Sequence, residues 1–390
     1  MKQLRSGRRI LAVLSLGVGV LFLGASGALL GACGPFIDIL DAGFCPFVLE
    51  IFSMGITTGT TATTYSPQDS VTRLQMAAFL SRSTDRMLQR HSRRAVYNRF
   101  WTPQNDSVLG LTTVGASPGQ VKLDSTNLWV ANNGSGTVSR VRASDGKLLE
   151  TWTGAAGAWG VLTAMGRVIV TGQSSPGNLY MIDPLTPAGP VTLVSSVLGG
   201  FPDGITFDGA RVWTANGSGS VSIATPAATI PWTVTTVAAG AGSLSGALFD
   251  GASVWVTDNF AGRLLKLDGA GAVLQTVTVG ANPLYAVFDG TNIWVPNKTS
   301  GTVTVVRASN GTVLGTLTGN GLVSPTAAAF DGERILITNG VGDSVSLWKA
   351  ANLTALGSVS TGSGTHPLGA CSDGLNFWIT LPELNKLARF

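Results

Sequence analysis

The sequence predicts a mainly β fold, a seven-bladed β-propeller preceded by a small helical module. Three observations support this prediction. A phrase of the type Phe-Asp-Gly-x-x-Val-Trp recurs along the chain, short β-branched runs alternate with glycine turns, and the last repeat lacks a strand that the segment before the first repeat can supply. The final residue of each phrase, here called the anchor, falls at positions 129, 169, 213, 255, 294, 336 and 378.

The spacing of the anchors predicts the number of blades. Successive anchors are separated by 40, 44, 42, 39, 42 and 42 residues. A period of about 40–45 residues in a chain of short strands and tight turns is typical of a four-stranded propeller blade. Seven anchors therefore predict seven blades, and we assign residues 102–390 to the propeller.

Each repeat is expected to hold four strands joined by turns whose residues tolerate positive φ. In the repeat that begins near Ala281, Trp294 of the second strand should pack between neighbouring blades, and the other anchor tryptophans should do the same. The expected strands of this repeat run from Tyr285 to Phe288, Asn292 to Pro296, Thr302 to Arg307 and Thr312 to Leu317.

The last repeat has room for only one strand after its anchor Trp378, from Asn385 to Phe390. The segment from Val108 to Gly115 resembles the outer strands of other repeats. We expect it to complete the seventh blade, because such a closure removes the free sheet edge that would otherwise promote aggregation.

The candidate binding site is the mouth of the propeller channel. Loops that enter the inner strands converge there with loops that leave the second strands, and propellers bind their ligands at this end. Alignment of the repeats places a ring of mostly Asn and Asp side chains three residues after the anchors, and Trp159 is a candidate for stacking. The candidate ligand-binding residues are Trp159, Asp203, Tyr285, Asp258, Asn132, Asn216, Asn297, Asn339 and His366.

Two interpretations of this ring remain open at the sequence level. The amides can hydrogen-bond a glycan or a peptide, and Asp203 and Asp258 can supply charge to a divalent cation at the channel mouth; no other cofactor is expected. Alternatively, Asn and Asp are turn residues that cap strand ends and accept left-handed conformations. His366 is either a titrating ligand-binding group or an ordinary loop residue.

Residues 1–32 are expected to be a signal peptide or membrane anchor, because Lys2 and three arginines precede an apolar or glycine stretch from Ile10 to Leu30. The protein is therefore expected to be exported, with membrane contact only through the leader or a lipid. The sequence Leu-Gly-Ala-Cys ending at Cys33 resembles a bacterial lipobox, which implies lipidation of Cys33. A disulfide between Cys33 and Cys45 is the alternative in an oxidising compartment, and Cys371 is expected to be a buried free thiol.

The net charge of +4 comes from the leader, and from Cys33 onward 21 basic residues balance 21 acidic ones. Nucleic acid is therefore not an expected partner. Basic residues concentrate before the propeller, where they could meet anionic wall polymer or phospholipid, or form a solvated helix face. These residues are Arg82, Arg86, Arg90, Arg93, Arg94 and Arg99.

Residues 33–101 are expected to form a helical module and a basic helix. One helix should span Phe44 to Met54 and stop at Gly55, and Ser70 is the expected N-cap of an amphipathic helix from Val71 to Arg90. The segment resembles an S-layer homology (SLH) module. The matching stretches are 36–38, Gly-Ile-Thr-Thr-Gly at 55–59, Tyr-Ser-Pro at 65–67 and Val-Thr-Arg-Leu-Gln-Met at 71–76.

This resemblance implies a bacterial source and attachment to a cell-wall polysaccharide or another envelope component. The family signature Thr-Arg-Ala-Glu corresponds to Thr-Arg-Leu-Gln at 72–75, so Arg73 is the residue carried over as a candidate for attachment. Exported leader, SLH-like module and propeller together are similar to envelope proteins that contain S-layer homology domains.

The propeller repeats resemble those of NHL-type proteins, streptogramin lyase and gluconolactonase, which implies a metal at the channel mouth. The lyase pattern needs a Glu-x-His pair, but His366 is the single histidine of the propeller segment. We therefore expect a binding or scaffold protein rather than an enzyme, with an unknown glycan, peptide or protein as ligand. The alternatives are a metal-dependent lactonase or lyase and a structural surface-layer component.

Overall fold

The computed structural model describes residues 33, 36–39, 44–53, 56–80, 83 and 110–390. The chain divides into two compact units, Met1–Trp101 and Thr102–Phe390. The expected leader 1–32, the arginines at 82, 86, 90, 93, 94 and 99, and the helix stop at Gly55 lie outside the described residues.

The second unit is a seven-bladed β-propeller built from seven four-stranded antiparallel sheets. Blade 1 consists of β2 Pro118–Leu123, β3 Asn127–Asn132, β4 Thr137–Arg142 and β5 Leu148–Trp152. Blade 2 consists of β6 Ala158–Ala164, β7 Arg167–Gly172, β8 Gly177–Ile182 and β9 Thr192–Leu198. Blade 3 consists of β10 Pro202–Phe207, β11 Val212–Asn216, β12 Ser220–Thr225 and β13 Thr233–Ala238.

Blades 4 to 6 have the same strand order from the inside outward. Their strands are β14 Leu244–Phe249, β15 Val254–Asp258, β16 Arg263–Leu267 and β17 Val273–Thr278; β18 Val287–Phe288, β19 Asn292–Asn297, β20 Thr302–Arg307 and β21 Val313–Leu317; and β22 Pro325–Phe330, β23 Arg334–Asn339, β24 Ser344–Lys349 and β25 Thr354–Ser360.

The seventh blade joins the two ends of the propeller, as the sequence predicts. It contains β26 Ala370–Ser372, β27 Phe377–Leu381 and β28 Lys386–Arg389, and its outer strand is β1 Gly110–Thr113. β1 pairs with β28 in antiparallel register from Gly110 opposite Arg389 to Thr113 opposite Lys386. The outer edge of β28 is therefore covered by β1.

The recurring phrase folds the same way in most blades. The anchor tryptophans Trp129, Trp213, Trp255, Trp294 and Trp378 are fully buried and pack against the following blade, which confirms the expected inter-blade core. The aspartate five residues earlier accepts a 2.7 Å hydrogen bond from the indole Nε1 in all five cases. Its other oxygen accepts turn N–H groups, as at Asp250.

Blade 5 departs from the prediction at its inner strand, which spans only Val287–Phe288 instead of starting at Tyr285. The Tyr285 N–H donates to the Thr326 carbonyl and its carbonyl accepts from Ala328, so this residue bridges to the inner strand of blade 6. In blades 2, 4, 6 and 7 a threonine hydroxyl of the second strand accepts a backbone N–H from the first part of the inner strand of the same blade, at 2.7–2.9 Å. Pro296 occupies that position in blade 5, but Ala131 and Ala215 occupy it in blades 1 and 3, whose inner strands are regular, so the missing hydroxyl alone does not shorten the strand.

The first unit contains α1, Cys45–Ser53, close to the predicted Phe44 to Met54. A second helix starts at residue 73 and is described through 80. Its cap is Thr72 rather than the expected Ser70, because Thr72 Oγ1 accepts the Gln75 N–H and Gln75 Oε1 accepts the Thr72 N–H. This reciprocal pair is a capping box.

The Cys33 and Cys45 sulfurs form a disulfide, which is one of the two alternatives left open for Cys33. Asp38 of the SLH-like segment accepts the N–H groups of Tyr65 and Ser66, and these bonds lower its pKa. Among the described helices, none is long and apolar enough to cross a membrane.

Candidate functional site

The top face is defined here as the end of the propeller where the inner strands begin and the second strands end. The channel below it is narrow, with a volume of about 40 Å³, so it has room for only a few water molecules. Small residues line most of it, among them Gly160, Gly204, Gly246, Ala327 and Ala370. A ligand larger than a few waters therefore does not fit inside this cavity.

Three of the predicted site residues meet at the channel mouth. Trp159 Nε1 donates to Tyr285 Oη at 2.8 Å, and Tyr285 Oη donates to Asp203 Oδ1 at 2.7 Å. The three side chains come from blades 2, 5 and 3, so the hydrogen bonds connect non-adjacent blades across the channel. We call this chain of contacts the hub.

The position of Tyr285 explains how the hub reaches across the channel. Four residues before the Asp-Gly aspartate, blades 2, 3, 4 and 7 carry glycine and blade 6 carries alanine. A Cβ at Gly160 or Gly246 would lie within 2.5 Å of a carbonyl oxygen of the next blade. Tyr285 fits at this position because its backbone has left the blade 5 sheet and bonds to blade 6 instead.

The hub contains an acid with an unusual pKa. Burial in the channel mouth raises the pKa of Asp203 to about 7, while hydrogen bonds from Tyr285, Trp159 and Ser245 act in the opposite direction. Burial and the neighbouring Asp203 charge also raise the pKa of the Tyr285 phenol well above its usual value. The Asp203 carboxyl is therefore about half protonated at pH 7, and the Tyr285 phenol keeps its proton and remains a hydrogen-bond donor.

Two further polar side chains border the hub. Asn259 Nδ2 donates to Ser245 Oγ at 2.5 Å, which extends the polar cluster into blade 4. Gln120 of blade 1 lies beside the Tyr285 hydroxyl and is only 8% exposed, and its Nε2 has no hydrogen-bond partner among the described residues. A buried donor of this kind is normally satisfied by water or by a ligand oxygen.

The asparagine ring does not lie at the channel mouth, which corrects the expectation for these residues. Asn132, Asn216, Asn297 and Asn339 are fully buried inside their blades. Each amide Nδ2 donates to two Ser or Thr hydroxyls of the third strand, at 2.8–3.3 Å. These asparagines therefore tie the second strand to the third and offer no surface to a ligand.

Asp258 occupies the same position in blade 4 and is also fully buried. Its Oδ2 forms an ion pair with Arg263 Nη2 at 2.5 Å, and its Oδ1 accepts the Ala261 N–H. Both oxygens are therefore used within the blade. Among the residues that the structure describes, no group of three or more His, Cys, Asp or Glu side chains is arranged to hold a metal ion.

His366 lies in the loop that enters blade 7, with its side chain half exposed and its Nδ1 3.7 Å from Glu383 Oε1. Its N–H donates to Asp343 Oδ1, which orders the loop. It takes no part in the hub. Arg73 lies in the other unit, in the first turn of the helix that Thr72 caps, and is exposed.

Two exposed aromatic residues of the top face were not predicted. Phe201 precedes Pro202 in the loop that enters blade 3 and is 56% exposed, and Phe260 follows Asn259 in the second loop of blade 4 and is 80% exposed. Both lie within two residues of a member of the polar cluster. A sequence signal was available, because the residue before the inner-strand proline is Ser117, Asn282 or Ser324 in other blades.

Comparison with known proteins supports the fold and goes no further. No protein-family model and no curated protein matches the chain. Solved structures match the propeller: a streptogramin B lyase aligns with a TM-score of 0.60 and 13% identity over 72% of this chain and 96% of that chain. A virginiamycin B lyase from Staphylococcus aureus has a TM-score of 0.60 and 15% identity over 72% and 98%.

The WD40 β-propeller domain of Doa1 is equally similar, with a TM-score of 0.61 and 14% identity over 74% of this chain and 97% of that chain. The two lyases and the WD40 domain thus share this architecture, and their TM-scores to this chain are nearly equal. The chain is similar to both in fold, and this similarity selects neither activity.

Proposed function

We propose that this protein is exported and binds a ligand at the mouth of its propeller channel. The observation that supports the proposal is the hub, in which Trp159, Tyr285 and Asp203 meet from three blades. The other blades have glycine or alanine at the position of Tyr285, except blade 1, which has Gln120, so a large polar side chain is not a general requirement of the fold there. Convergent polar and aromatic groups at a concave mouth are typical of binding sites.

Most groups at the mouth are suited to recognition, and Asp203 is the only carboxyl or imidazole among the described residues of the hub, so it has no second acid or base beside it. The indole of Trp159 offers a stacking surface. Gln120 places a buried amide donor beside the Tyr285 hydroxyl. The only histidine of the propeller, His366, stands apart from the hub. A binding role therefore fits the described side chains better than the lyase alternative.

The small module is the second half of the proposal. Its resemblance to an S-layer homology module, together with the basic, apolar sequence at the start of the chain, favours attachment to the cell envelope, with a wall polysaccharide as the partner class and Arg73 as a contact. The ligand bound at the channel mouth would then itself be a component of the envelope.

Sedimentation with envelope fragments from cells that make the native protein tests this proposal. Purified full-length protein should sediment with the fragments, Trp159→Ala should lower the binding at least tenfold, and Arg73→Ala should lower it by an independent amount. Leu185→Ser is the matched control, since Leu185 lies in an outer loop of blade 2 at the opposite end and is 88% exposed. Binding by Trp159→Ala equal to the wild type would exclude the channel mouth as the site.

A further inference from the structure

The top face contains two exposed aromatic side chains that the fold does not require. The residue before the inner-strand proline has a positive φ in blades 1, 3, 5, 6 and 7, and it is Ser117, Phe201, Asn282, Ser324 and His366 respectively. Residues other than glycine are uncommon at positive φ, with Asn and His enriched, and a bulky residue with a φ of 56°, as at Phe201, is a conformational outlier.

The Phe201 side chain contributes little to the packing of the propeller. Its side chain is more than half exposed, and its hydrogen bonds come from the backbone: the N–H donates to the Ser174 carbonyl at 2.7 Å, and the carbonyl accepts the Gly217 N–H at 2.8 Å. The carbonyls of Ser117 and Ser324 make the same contact in blades 1 and 6. A strained, exposed aromatic residue that a serine could replace indicates a functional constraint.

Phe260 of the neighbouring blade is positioned in a similar way. A Cβ at Gly242 would lie 2.7 Å from Phe260 Cδ1, so the ring rests on the glycine backbone of the blade 4 entry loop. The loop that contains Gly217 and Gly219 links the two residues, since Gly217 lies next to the Phe201 Cβ and Gly219 next to the Ala241 carbonyl of the loop that Phe260 packs on. We call this set of residues, with Phe201 and Phe260 as its walls and the glycines as its floor, the Phe201–Phe260 surface.

The charge of the top face restricts what this surface can bind. The top-face loops of blades 1 to 4 contain no Lys, Arg, Asp or Glu; they span residues 114–118, 133–136, 153–157, 173–176, 199–202, 217–219, 239–243 and 259–262. Next to them, Arg263 is neutralised by Asp258. Depletion of charge around exposed aromatic residues is the composition of a protein interface core.

We infer that the Phe201–Phe260 surface binds an uncharged, apolar segment of a partner polypeptide, with its large side chains against the two rings. The glycine floor lets an extended backbone approach closely, and the neutral rim favours a partner without charges. This inference rests on the proposed function, because it names the class of ligand that binds beside the hub.

Saturation-transfer NMR with the full-length protein tests this inference. The probe is the capped pentapeptide Ala-Phe-Ser-Leu-Ala at millimolar concentration, with versions in which Lys or Glu replaces Phe, and a neutral cello-oligosaccharide for comparison. The apolar peptide should bind, and the charged versions should bind at least tenfold more weakly. Phe201→Ser and Phe260→Ser should each weaken binding at least fivefold, whereas Leu185→Ser should not change it.

The melting temperature of Phe201→Ser separates a binding role from a packing role. Since serine is the residue of blades 1 and 6, the variant should be as stable as the wild type or more stable. A clear loss of stability would assign Phe201 to packing, and preferential binding of the oligosaccharide would make this a glycan surface. If no peptide binds while envelope binding still depends on Trp159, this inference fails and the proposed function stands.

Discussion

At the scale of single residues, the most informative group is the Asp203 carboxyl, whose pKa of about 7 arises from burial in the channel mouth. In the unfolded chain the same carboxyl has a pKa near its usual value of 3.8. Between these two values the folded protein holds a proton that the unfolded chain has released. The free energy of unfolding must therefore fall as the pH rises from about 4 to 7.

Asp203→Asn should remove this dependence, because an amide stays neutral at every pH. Between pH 5 and pH 8 the free energy of unfolding of the wild type should fall by about 2 kcal/mol relative to that of the variant. This is less than the full pKa shift implies, because solvent reaches the mouth. Urea denaturation at the two pH values measures this. Asp145→Asn is the surface control, since the pKa of Asp145 is lowered and its titration ends below this window; parallel curves for wild type and Asp203→Asn would contradict the assignment.

The residues of the hub show where prediction from sequence succeeds and where it stops. Trp159 and Asp203 could be found because each is large or charged where the aligned repeats have small residues. The asparagine ring was misplaced because alignment gives the position of a side chain along a strand but not its partner. The partner was visible in the sequence, since Ser or Thr follows five and seven residues after Asn132, Asn297 and Asn339.

At the scale of the repeating element, the Asp-Trp pair explains why the phrase recurs. Asp250 Oδ2 accepts from the Nε1 of the fully buried Trp255, while Oδ1 accepts the N–H groups of the turn. One carboxylate thus satisfies a buried indole donor and closes the turn between the two inner strands. Blade 6, whose anchor is Leu336, has no such donor, and there Asp331 accepts from Arg334 Nε instead.

Asp250→Ala should therefore destabilise the protein by about 2–3 kcal/mol, mainly because the Trp255 N–H is left buried without an acceptor. In Asp250→Ala/Trp255→Phe that donor is absent, so the double variant should be at least about 1 kcal/mol more stable than the sum of the single effects. Asp268→Ala, which removes only turn hydrogen bonds in the same blade, is the control. Strict additivity in chemical denaturation would refute a direct Asp250–Trp255 contribution.

Blade 5 shows why one element could not be predicted although the others were. The number of blades and the strand bounds follow from local rules that repeat seven times. The inner strand of blade 5 instead departs at Tyr285, whose N–H and C=O bond to Thr326 and Ala328 of blade 6, and the repeat pattern carries no signal for this departure. The resulting bond to blade 6 turns Tyr285 into the channel, so the least regular blade positions the central residue of the candidate site.

At the scale of the whole molecule, closure of the ring depends on a four-residue strand. β1 pairs with β28, and Thr112 Oγ1 also donates to the Gly146 carbonyl of blade 1. β1 therefore completes the sheet of blade 7 and also bonds to blade 1. The sequence predicted this closure because the last repeat visibly lacks its outer strand.

A protein that begins at Val114 should consequently be less stable than one that begins at Thr102, by about 2–4 kcal/mol for the lost strand hydrogen bonds. It should also associate, because the exposed edge of β28 can pair with another chain. The Thr102 start is the matched control, since it keeps β1 and begins at the boundary of the second compact unit. Chemical denaturation and light scattering measure the two effects. Equal stability and a monomeric Val114 protein would show that the remaining blades hold the ring closed without β1.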